Sequence, residues 1–164
     1  MPENRRPNSL RLKGFDYNTC GAYHITLSAY EMGAIFGELA DHEVRLNPIG
    51  QMIAQIWEEL PDHYPGVWAD VYRVMPDHFH GIVVLVDPTV ERLDAAPRTL
   101  SLSDVVHRFK SYTTTLHRRM TGDSKLWKRG YWDEIINSDP QLKTVRQYIY
   151  YNALKDYLKR TRQT

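Results

Sequence analysis

Two spacings of hydrophobic residues along the chain predict its strands and helices. Residues 21–30, GAYHITLSAY, are rich in β-branched and aromatic side chains, which is typical of a strand. Residues 67–74 and 78–86 predict a hairpin around the turn Met75-Pro76-Asp77. Two weaker patterns predict a short strand at residues 34–39 and a strand with a turn at residues 127–136.

Three segments are predicted to form helices, and apolar residues recur at helical spacing in the first and the third. The first starts at Asn47, an N-cap residue followed by a proline suited to the first turn, and PDHYPG ends it. The second starts at Ser101, with Asp104 completing a capping box, and runs to about residue 120. The third starts at residue 139, and its predicted core face comprises Leu142, Val145, Ile149 and Ala153.

The order of these elements, strands, helix, hairpin, helix, strand and helix, predicts an α+β fold with helices packed on an antiparallel sheet. The length of 164 residues fits one domain over residues 21–164, after a basic arm over residues 1–20. Residues 87–99 are predicted to form a surface loop. No apolar run reaches eighteen residues, so we expect no membrane span. Cys20, the single cysteine, excludes an intramolecular disulfide and fits the reducing cytoplasm.

Charge is distributed unevenly along the chain. Residues 21–100 carry four lysines and arginines against twelve acidic residues, a net charge of −8. Residues 101–164 carry thirteen against six, a net charge of +7. This asymmetry indicates one face suited to a polyanion, although charged helices also have solvated faces for no functional reason.

The segment His78-Phe79-His80 opens a very apolar strand. Residues two apart on a strand share a face and lie roughly 6.6 Å apart, so both imidazoles can reach one ion while Phe79 faces the core. A histidine beside IVVLV is costly unless its ring nitrogens are bonded. The pair predicts a metal site, and the alternative is two histidines exposed or hydrogen-bonded beside the turn.

The segment YIYYN, residues 148–152, lies on the predicted last helix. Tyr148 and Asn152 are four residues apart, so we expect them on one helical face, roughly 6 Å apart at Cβ. A hydroxyl and an amide on one edge suit a nucleophile and a metal ligand. The alternative is that these tyrosines cover the edge of the core.

Together these motifs resemble the REP-associated tyrosine transposases and their insertion-sequence relatives, the single-tyrosine HUH nucleases. The resemblance is carried by VMPDHFHGIVVLV and YIYYNALK, with SLSDVVHRFKSYTT and LWKRGYWDEII between them. RRPNSLRLKGFDYNTCGAYHITL is similar to the family's N-terminal strand region, so the likeness spans nearly the whole chain.

The chain departs from the family pattern at three positions. Ala153 follows the motif asparagine where many relatives have proline, so the helix is expected to continue. Glu134 stands where many relatives have histidine, so no role of that histidine transfers. Asp77 stands where asparagine or glutamate is frequent.

The resemblance implies a ferredoxin-like (RRM-like) HUH endonuclease fold and a catalytic role for Tyr148. His78, His80 and Asn152 would hold a divalent ion, Mg²⁺ or Mn²⁺, and Tyr148 would form a 5′-phosphotyrosine intermediate. Lys155, two turns beyond Tyr148, is a candidate for charge stabilisation or a solvated lysine. The expected setting is the bacterial cytoplasm, at the nucleoid when the protein is bound to DNA.

The expected partner is single-stranded or hairpin DNA, because one small site must reach one phosphate. Several aromatic residues could stack on bases or belong to the core: Phe109, Tyr112, Trp127, Tyr131 and Trp132. Backbone contacts are assigned to Arg5, Arg6, Arg11, Lys13, Arg108, Lys110, Arg118, Arg119, Lys128 and Arg129.

Two other functions fit the same residues. The first is a non-catalytic, domesticated protein that binds hairpin DNA or RNA. The second is a metal phosphoesterase that uses water as its nucleophile. The patterns leave open the DNA sequence recognised, and whether the protein is a monomer or a homodimer.

Overall fold

The computed structural model describes residues 20–86 and 100–163, together with the backbone of Arg5–Arg6 and Ser9–Leu12. Lys13 and the predicted surface loop at 87–99 lie outside the described residues. The elements are, in chain order, β1 (Arg5–Arg6), β2 (Ser9–Leu12), β3 (Gly21–Ser28), β4 (Gly37–Ala40), β5 (Glu43–Leu46), α1 (Pro48–Glu58), α2 (Leu60–His63), β6 (Val67–Val74), β7 (His78–Leu85), α3 (Leu102–Thr121), β8 (Trp132–Ile136), α4 (Asp139–Tyr150) and α5 (Asn152–Arg162).

The central sheet has four strands in the order β6-β7-β3-β8, and all of its neighbouring pairs are antiparallel. Apart from the β4–β5 pair and the short helix α2, the elements from β3 onward follow the order β3, α1, β6, β7, α3 and β8. This is the βαββαβ order of a ferredoxin-like fold. The predicted α+β, ferredoxin-like fold is therefore confirmed. Strands β1 and β2, within the predicted basic arm, form a separate antiparallel pair.

The predicted helix starts are also present. The side chain of Asn47 accepts a hydrogen bond of 2.9 Å from the Gly50 backbone N–H and caps α1. Ser101 and Asp104 form a complete capping box at α3, which ends at Gly122 with a positive φ of 81°. The third helix, α4, starts one residue after its N-cap, Ser138.

Helices cover both faces of the sheet. On one face α1 and α3 bury a large cluster in which the rings of Trp57 and Phe109 lie against Phe79. On the other face Val145 and Ile149 of α4 pack against Ile82 of β7. Because side chains alternate along β7, this strand serves both cores at once.

Two local predictions were wrong. The strand expected at residues 34–39 is displaced to β4, and it pairs with β5, which the sequence pattern did not reveal. The turn between them places Asp41 and His42 at positive φ, 49° and 71°. PDHYPG does not simply end α1, since a short helix, α2, begins at Leu60.

Among the described residues, no helix combines the length and hydropathy needed to span a membrane.

Candidate functional site: a histidine pair facing a tyrosine helix

The histidine pair lies at the start of β7, directly after the β6–β7 turn. The rings of His78 and His80 lie with centroids 4.9 Å apart on one face of the strand. Phe79 is fully buried on the opposite face, against Trp57. The predicted alternation of side chains is therefore present, and the buried Phe79 fixes the position of the histidines on either side of it.

Each ring of the pair is held through its Nδ1 atom. The Nδ1 of His78 lies 2.8 Å from a carboxylate oxygen of Asp77. The Nδ1 of His80 lies 3.0 Å from the Thr26 hydroxyl and 3.2 Å from Nε2 of His24. These contacts on Nδ1 leave Nε2 as the ring nitrogen that can face a ligand.

Burial determines the protonation of His80. Its side chain is only 6% exposed, and desolvation, reinforced by His78 and His24, lowers its pKa to about 3. The ring is therefore neutral at physiological pH, which is the form that binds metals. Thr26 is the direct cross-strand partner of His80, so the sheet register places this hydroxyl beside the ring.

His24 is a site residue to which the sequence analysis assigned no role. It lies on β3, is 3% exposed, and its ring centroid is 5.4 Å from that of His80. Its Nδ1 lies 3.6 Å from a carboxylate oxygen of Glu134 on β8. The sequence offered one indication of this position: His24 stands between Tyr23 and Ile25, whose side chains lie in the core on the other face of the sheet.

Tyr148 comes from α4 and faces the histidines. Its ring centroid lies 5.6 Å from that of His80 and 6.1 Å from that of His24, both in edge-on geometry. Although it contacts these buried rings, Tyr148 is 43% exposed. The hydroxyl-bearing side chain is thus held at the site and remains accessible to a large substrate.

The helix that carries Tyr148 does not continue through the motif, which corrects the expectation of one uninterrupted helix. It ends at Tyr150, Tyr151 has φ −91° and ψ 5°, and a new helix, α5, begins at Asn152. The Arg73 side chain on β6 donates hydrogen bonds to the carbonyl oxygens of Ile149 (3.0 Å) and Tyr150 (2.8 Å). These charge-assisted bonds join β6 to the end of the helix that carries Tyr148.

Asn152 and Lys155 lie beyond this break. Asn152 is buried, at 5% exposure, in the first turn of α5. Lys155 is exposed, and its ammonium nitrogen lies 5.5 Å from the centroid of the Tyr148 ring. Although the helix breaks between the two residues, this cation therefore lies beside the tyrosine ring.

The metal site expected from the sequence would combine His78 and His80 with Asn152. Among the described residues, no three histidine, cysteine, aspartate or glutamate side chains form a metal-binding group. A site built on His78 and His80 would therefore take any third protein ligand from another residue type, such as the amide of Asn152. Two imidazoles and an amide oxygen would suit Mn²⁺, or Mg²⁺ despite its preference for oxygen ligands, and would leave coordination positions for a phosphate.

The basic residues predicted to bind DNA in and just after α3 lie on two different sides of this helix. Lys128 and Arg129 are exposed and line a groove of about 920 Å³ beside α3. Lys110 also lines it, but its ammonium group donates to the carbonyl oxygens of Lys128 and Gly130, each at 2.8 Å. Arg108 instead lies over the ring of Tyr64, 5.3 Å from its centroid.

The remaining predicted DNA contacts occupy other places. Arg118 and Arg119 are exposed in the last turn of α3. The side chains of Arg5, Arg6 and Arg11 lie outside the described residues. Of the predicted stacking aromatics, Phe109 and Trp127 are buried in the core, whereas Tyr112 is exposed.

Comparisons with known proteins agree with this architecture. The family model described as "Transposase IS200 like" matches residues 22–152. An uncharacterized protein of Haemophilus influenzae (strain Rd) is 28% identical over 157 residues, covering 89% of this chain and 87% of its own length. A solved REP-associated tyrosine transposase bound to a REP hairpin superposes with a TM-score of 0.63 at 16% identity, covering 88% of this chain and 73% of the other.

The fold is thus the HUH fold of the tyrosine transposases, with its histidine pair at the head of a central strand. The chain belongs to the IS200-like transposase family.

Proposed function

We propose that the protein is an endonuclease that cuts and rejoins single-stranded or hairpin DNA through Tyr148. The observation that carries this proposal is the position of Tyr148, exposed to solvent yet edge-on to His80 at 5.6 Å. Lys155 lies over the same ring. A tyrosine, a histidine pair and a cation therefore lie together on one side of a transposase fold.

Tyr148 would act as the nucleophile on one phosphodiester. Its phenol proton passes to solvent, Oη forms a bond to phosphorus, and the bond from phosphorus to the 3′ oxygen breaks. That oxygen takes up a proton from solvent and leaves as a 3′ hydroxyl. The resulting 5′-phosphotyrosine keeps an ester bond, so a 3′ hydroxyl can attack it and rejoin the strand. The ammonium group of Lys155 favours the negative charge that develops on the phenol oxygen.

His78, His80 and Asn152 would hold the divalent ion, Mg²⁺ or Mn²⁺. When bound, the ion supplies positive charge at the scissile phosphate. The contacts of Nδ1 in both rings support this assignment, because they orient each Nε2 away from the protein partners. The neutral state of His80 supports it further, since a protonated imidazole has no lone pair for an ion.

The groove beside α3 is our candidate path for the DNA strand. It lies near the end of the sheet that carries the histidine pair, because Ala29 donates to the Asp77 carbonyl at 2.8 Å and Lys128 donates to the Ser28 carbonyl at 2.9 Å. Lys128 and Arg129 supply cations along it. The solved REP-associated transposase of this fold is bound to a REP hairpin, which favours a hairpin substrate here.

The decisive experiment detects a covalent protein–DNA adduct. The full chain is incubated with end-labelled single-stranded hairpin DNA from its own genomic flanks and Mn²⁺ or Mg²⁺, then separated on a denaturing protein gel. We expect a labelled band near the protein's mass, lost with EDTA and lost in Tyr148→Phe. Tyr150→Phe is the matched control, because Tyr150 is exposed on the same helix and should keep the band.

Two results would contradict the proposal, and each would favour one of the two alternative functions. Cleaved DNA without an adduct, unaffected by Tyr148→Phe, would indicate a metal phosphoesterase that uses water. Tight hairpin binding with no cleavage under any of these conditions would indicate a non-catalytic binder of nucleic acid.

A further inference from the structure

A chain of three side chains crosses the sheet behind the histidine pair. His24 lies on β3, between β7 and β8, and Glu134 is its direct cross-strand partner on β8. Nε2 of His24 lies 3.2 Å from Nδ1 of His80, and Nδ1 of His24 lies 3.6 Å from Oε2 of Glu134. The order across the sheet is therefore carboxylate, imidazole and imidazole, ending at a proposed metal ligand.

The contact between the two rings requires a single proton between the nitrogen atoms. In one arrangement Nδ1–H of His80 donates to an unprotonated Nε2 of His24. In the other, Nε2–H of His24 donates to an unprotonated Nδ1 of His80. The two arrangements have different consequences for an ion. In the first, Nε2 of His80 keeps its lone pair, whereas in the second that atom carries the proton and cannot bind a metal.

The Glu134 carboxylate favours the first arrangement. Nδ1 of His24 is buried, and the charged group beside it is the Glu134 carboxylate, 3.6 Å away. A carboxylate attracts a protonated Nδ1 and repels a bare one. A neutral ring protonated at Nδ1 has a bare Nε2, which then accepts the proton of His80.

Thr26 is compatible with this arrangement. Its hydroxyl lies 3.0 Å from Nδ1 of His80 and can share the same proton as a second acceptor. Neither His24 nor Glu134 would touch the substrate, and both would act through His80. In proteins a carboxylate commonly orients a metal-binding histidine directly, and here a second imidazole stands between them.

We propose that Glu134 and His24 are positioning residues that hold His80 in the tautomer whose Nε2 faces the metal. The proposal rests on the assignment of His80 as a metal ligand, but it concerns the protein before any metal or DNA is added.

The first experiment reads the tautomer of His80 directly in the metal-free protein. Long-range ¹H–¹⁵N correlation spectra of the ¹⁵N-labelled full chain, assigned with His80→Gln, distinguish protonation at Nδ1 from protonation at Nε2. We expect Nδ1 protonation in the unmodified chain and a shift towards Nε2 protonation in Glu134→Gln. Glu38→Gln, an exposed carboxylate on β4, is the control that should leave the spectrum unchanged.

The second experiment measures Mn²⁺ affinity by electron paramagnetic resonance. We expect Glu134→Gln and His24→Gln to weaken binding about 10- to 100-fold, while Glu38→Gln binds normally. Backbone ¹H–¹⁵N spectra test whether each variant is folded. We expect Glu134→Gln to disturb the fold less than His24→Gln, because the Glu134 side chain is 37% exposed and that of His24 only 4%.

The outcomes separate this inference from the proposed function. Protonation of His80 at Nε2 in the unmodified metal-free chain, or an unchanged tautomer in Glu134→Gln, would overturn the positioning role. A Tyr148 adduct formed alongside either result would leave the endonuclease assignment intact. Conversely, the expected tautomer shift with no adduct on any hairpin would support the positioning role and count against the endonuclease.

Discussion

The side chain of Arg73, on β6, donates a hydrogen bond to the carbonyl oxygen of Ile149 in the last turn of α4. It makes a second bond to the next carbonyl oxygen, that of Tyr150, immediately before the break in the motif helix. Arg73 is also the cross-strand partner of His80. The strand pair that holds the histidines therefore also holds the end of the tyrosine helix.

Replacing Arg73 should disturb the site and cost stability. In Arg73→Gln we expect the free energy of unfolding to fall by about 1–2 kcal/mol, because two charge-assisted hydrogen bonds are removed. Adduct formation should fall at temperatures where the variant is still folded, since the helix end that positions Tyr148 is released. Urea denaturation and the adduct gel measure both, and Arg45→Gln, at an exposed pair with Asp41, is the control. Unchanged adduct yield would show that Arg73 does not position the tyrosine.

The ion pair between Asp70 and Arg146 should make stability depend on pH. Two hydrogen bonds, 2.9 and 2.6 Å long, join them, and the Arg146 guanidinium lowers the pKa of Asp70 in the folded chain. The pair therefore stabilises the fold above the unfolded-state pKa of about 3.9, and this contribution is lost as pH falls through the lower folded value.

Asp70→Asn should accordingly lose about 1 kcal/mol at pH 7 and almost nothing at the acid end of the folded range. Urea denaturation at several pH values between about 7 and 3 tests this. Asp41→Asn is the control, because its pair with Arg45 is fully on the surface and should change stability little at any pH. An Asp70→Asn deficit that does not shrink with acidification would contradict the assignment.

Gly81 follows the histidine pair and has no space for a side chain. A Cβ at this position would lie 2.7 Å from the Trp57 ring and 2.8 Å from the Phe79 ring. We expect Gly81→Ala to lower the free energy of unfolding by about 1–3 kcal/mol through overpacking. The urea midpoint measures this, with Ser28→Ala at an exposed position of β3 as the control. An unchanged midpoint would mean that the two rings can move apart without cost.

Metal binding should raise thermal stability. An ion that binds only the folded chain stabilises it by about 2.7 kcal/mol at a concentration one hundred times its Kd. We expect Mn²⁺ to raise Tm, EDTA to reverse the rise, and His78→Ala to abolish it. His63→Ala, an exposed histidine on α2, should respond as the unmodified chain does. A Tm rise that survives in His78→Ala would place the ion elsewhere.

The basic groove should contribute to DNA affinity. Lys128→Ala and Arg129→Ala should each weaken binding of a fluorescent hairpin and reduce the slope of log K against log salt by about 0.7–0.9 for each phosphate that is no longer neutralised. Fluorescence anisotropy over a salt series measures this. Arg45→Ala removes the same charge from the β4–β5 hairpin and should leave the slope unchanged. Equal effects of all three changes would point to overall charge rather than to the groove.

Local sequence determined much of the fold and the core of the site. Capping side chains such as Asn47 and Ser101 act within a few residues, so the helix starts could be predicted. Strict alternation placed His78 and His80 on one face of β7 and Phe79 in the core, because side chains of a strand point to opposite sides. The seven-residue separation of Tyr148 and Lys155 predicted that they lie near each other, and they do so although the helix breaks between them.

Only the tertiary structure decided the rest, because it depends on residues distant in sequence. His24 and Glu134 reach His80 through the register of three strands, which no local pattern encodes. The sequence around the break at Tyr151 contains no proline or glycine that would predict it. Arg73, which donates to the carbonyl oxygens of Ile149 and Tyr150 just before the break, lies more than seventy residues earlier in the chain. Spacing along a strand or helix thus identified the chemical groups, whereas sheet register and long-range hydrogen bonds decided which of their atoms face one another.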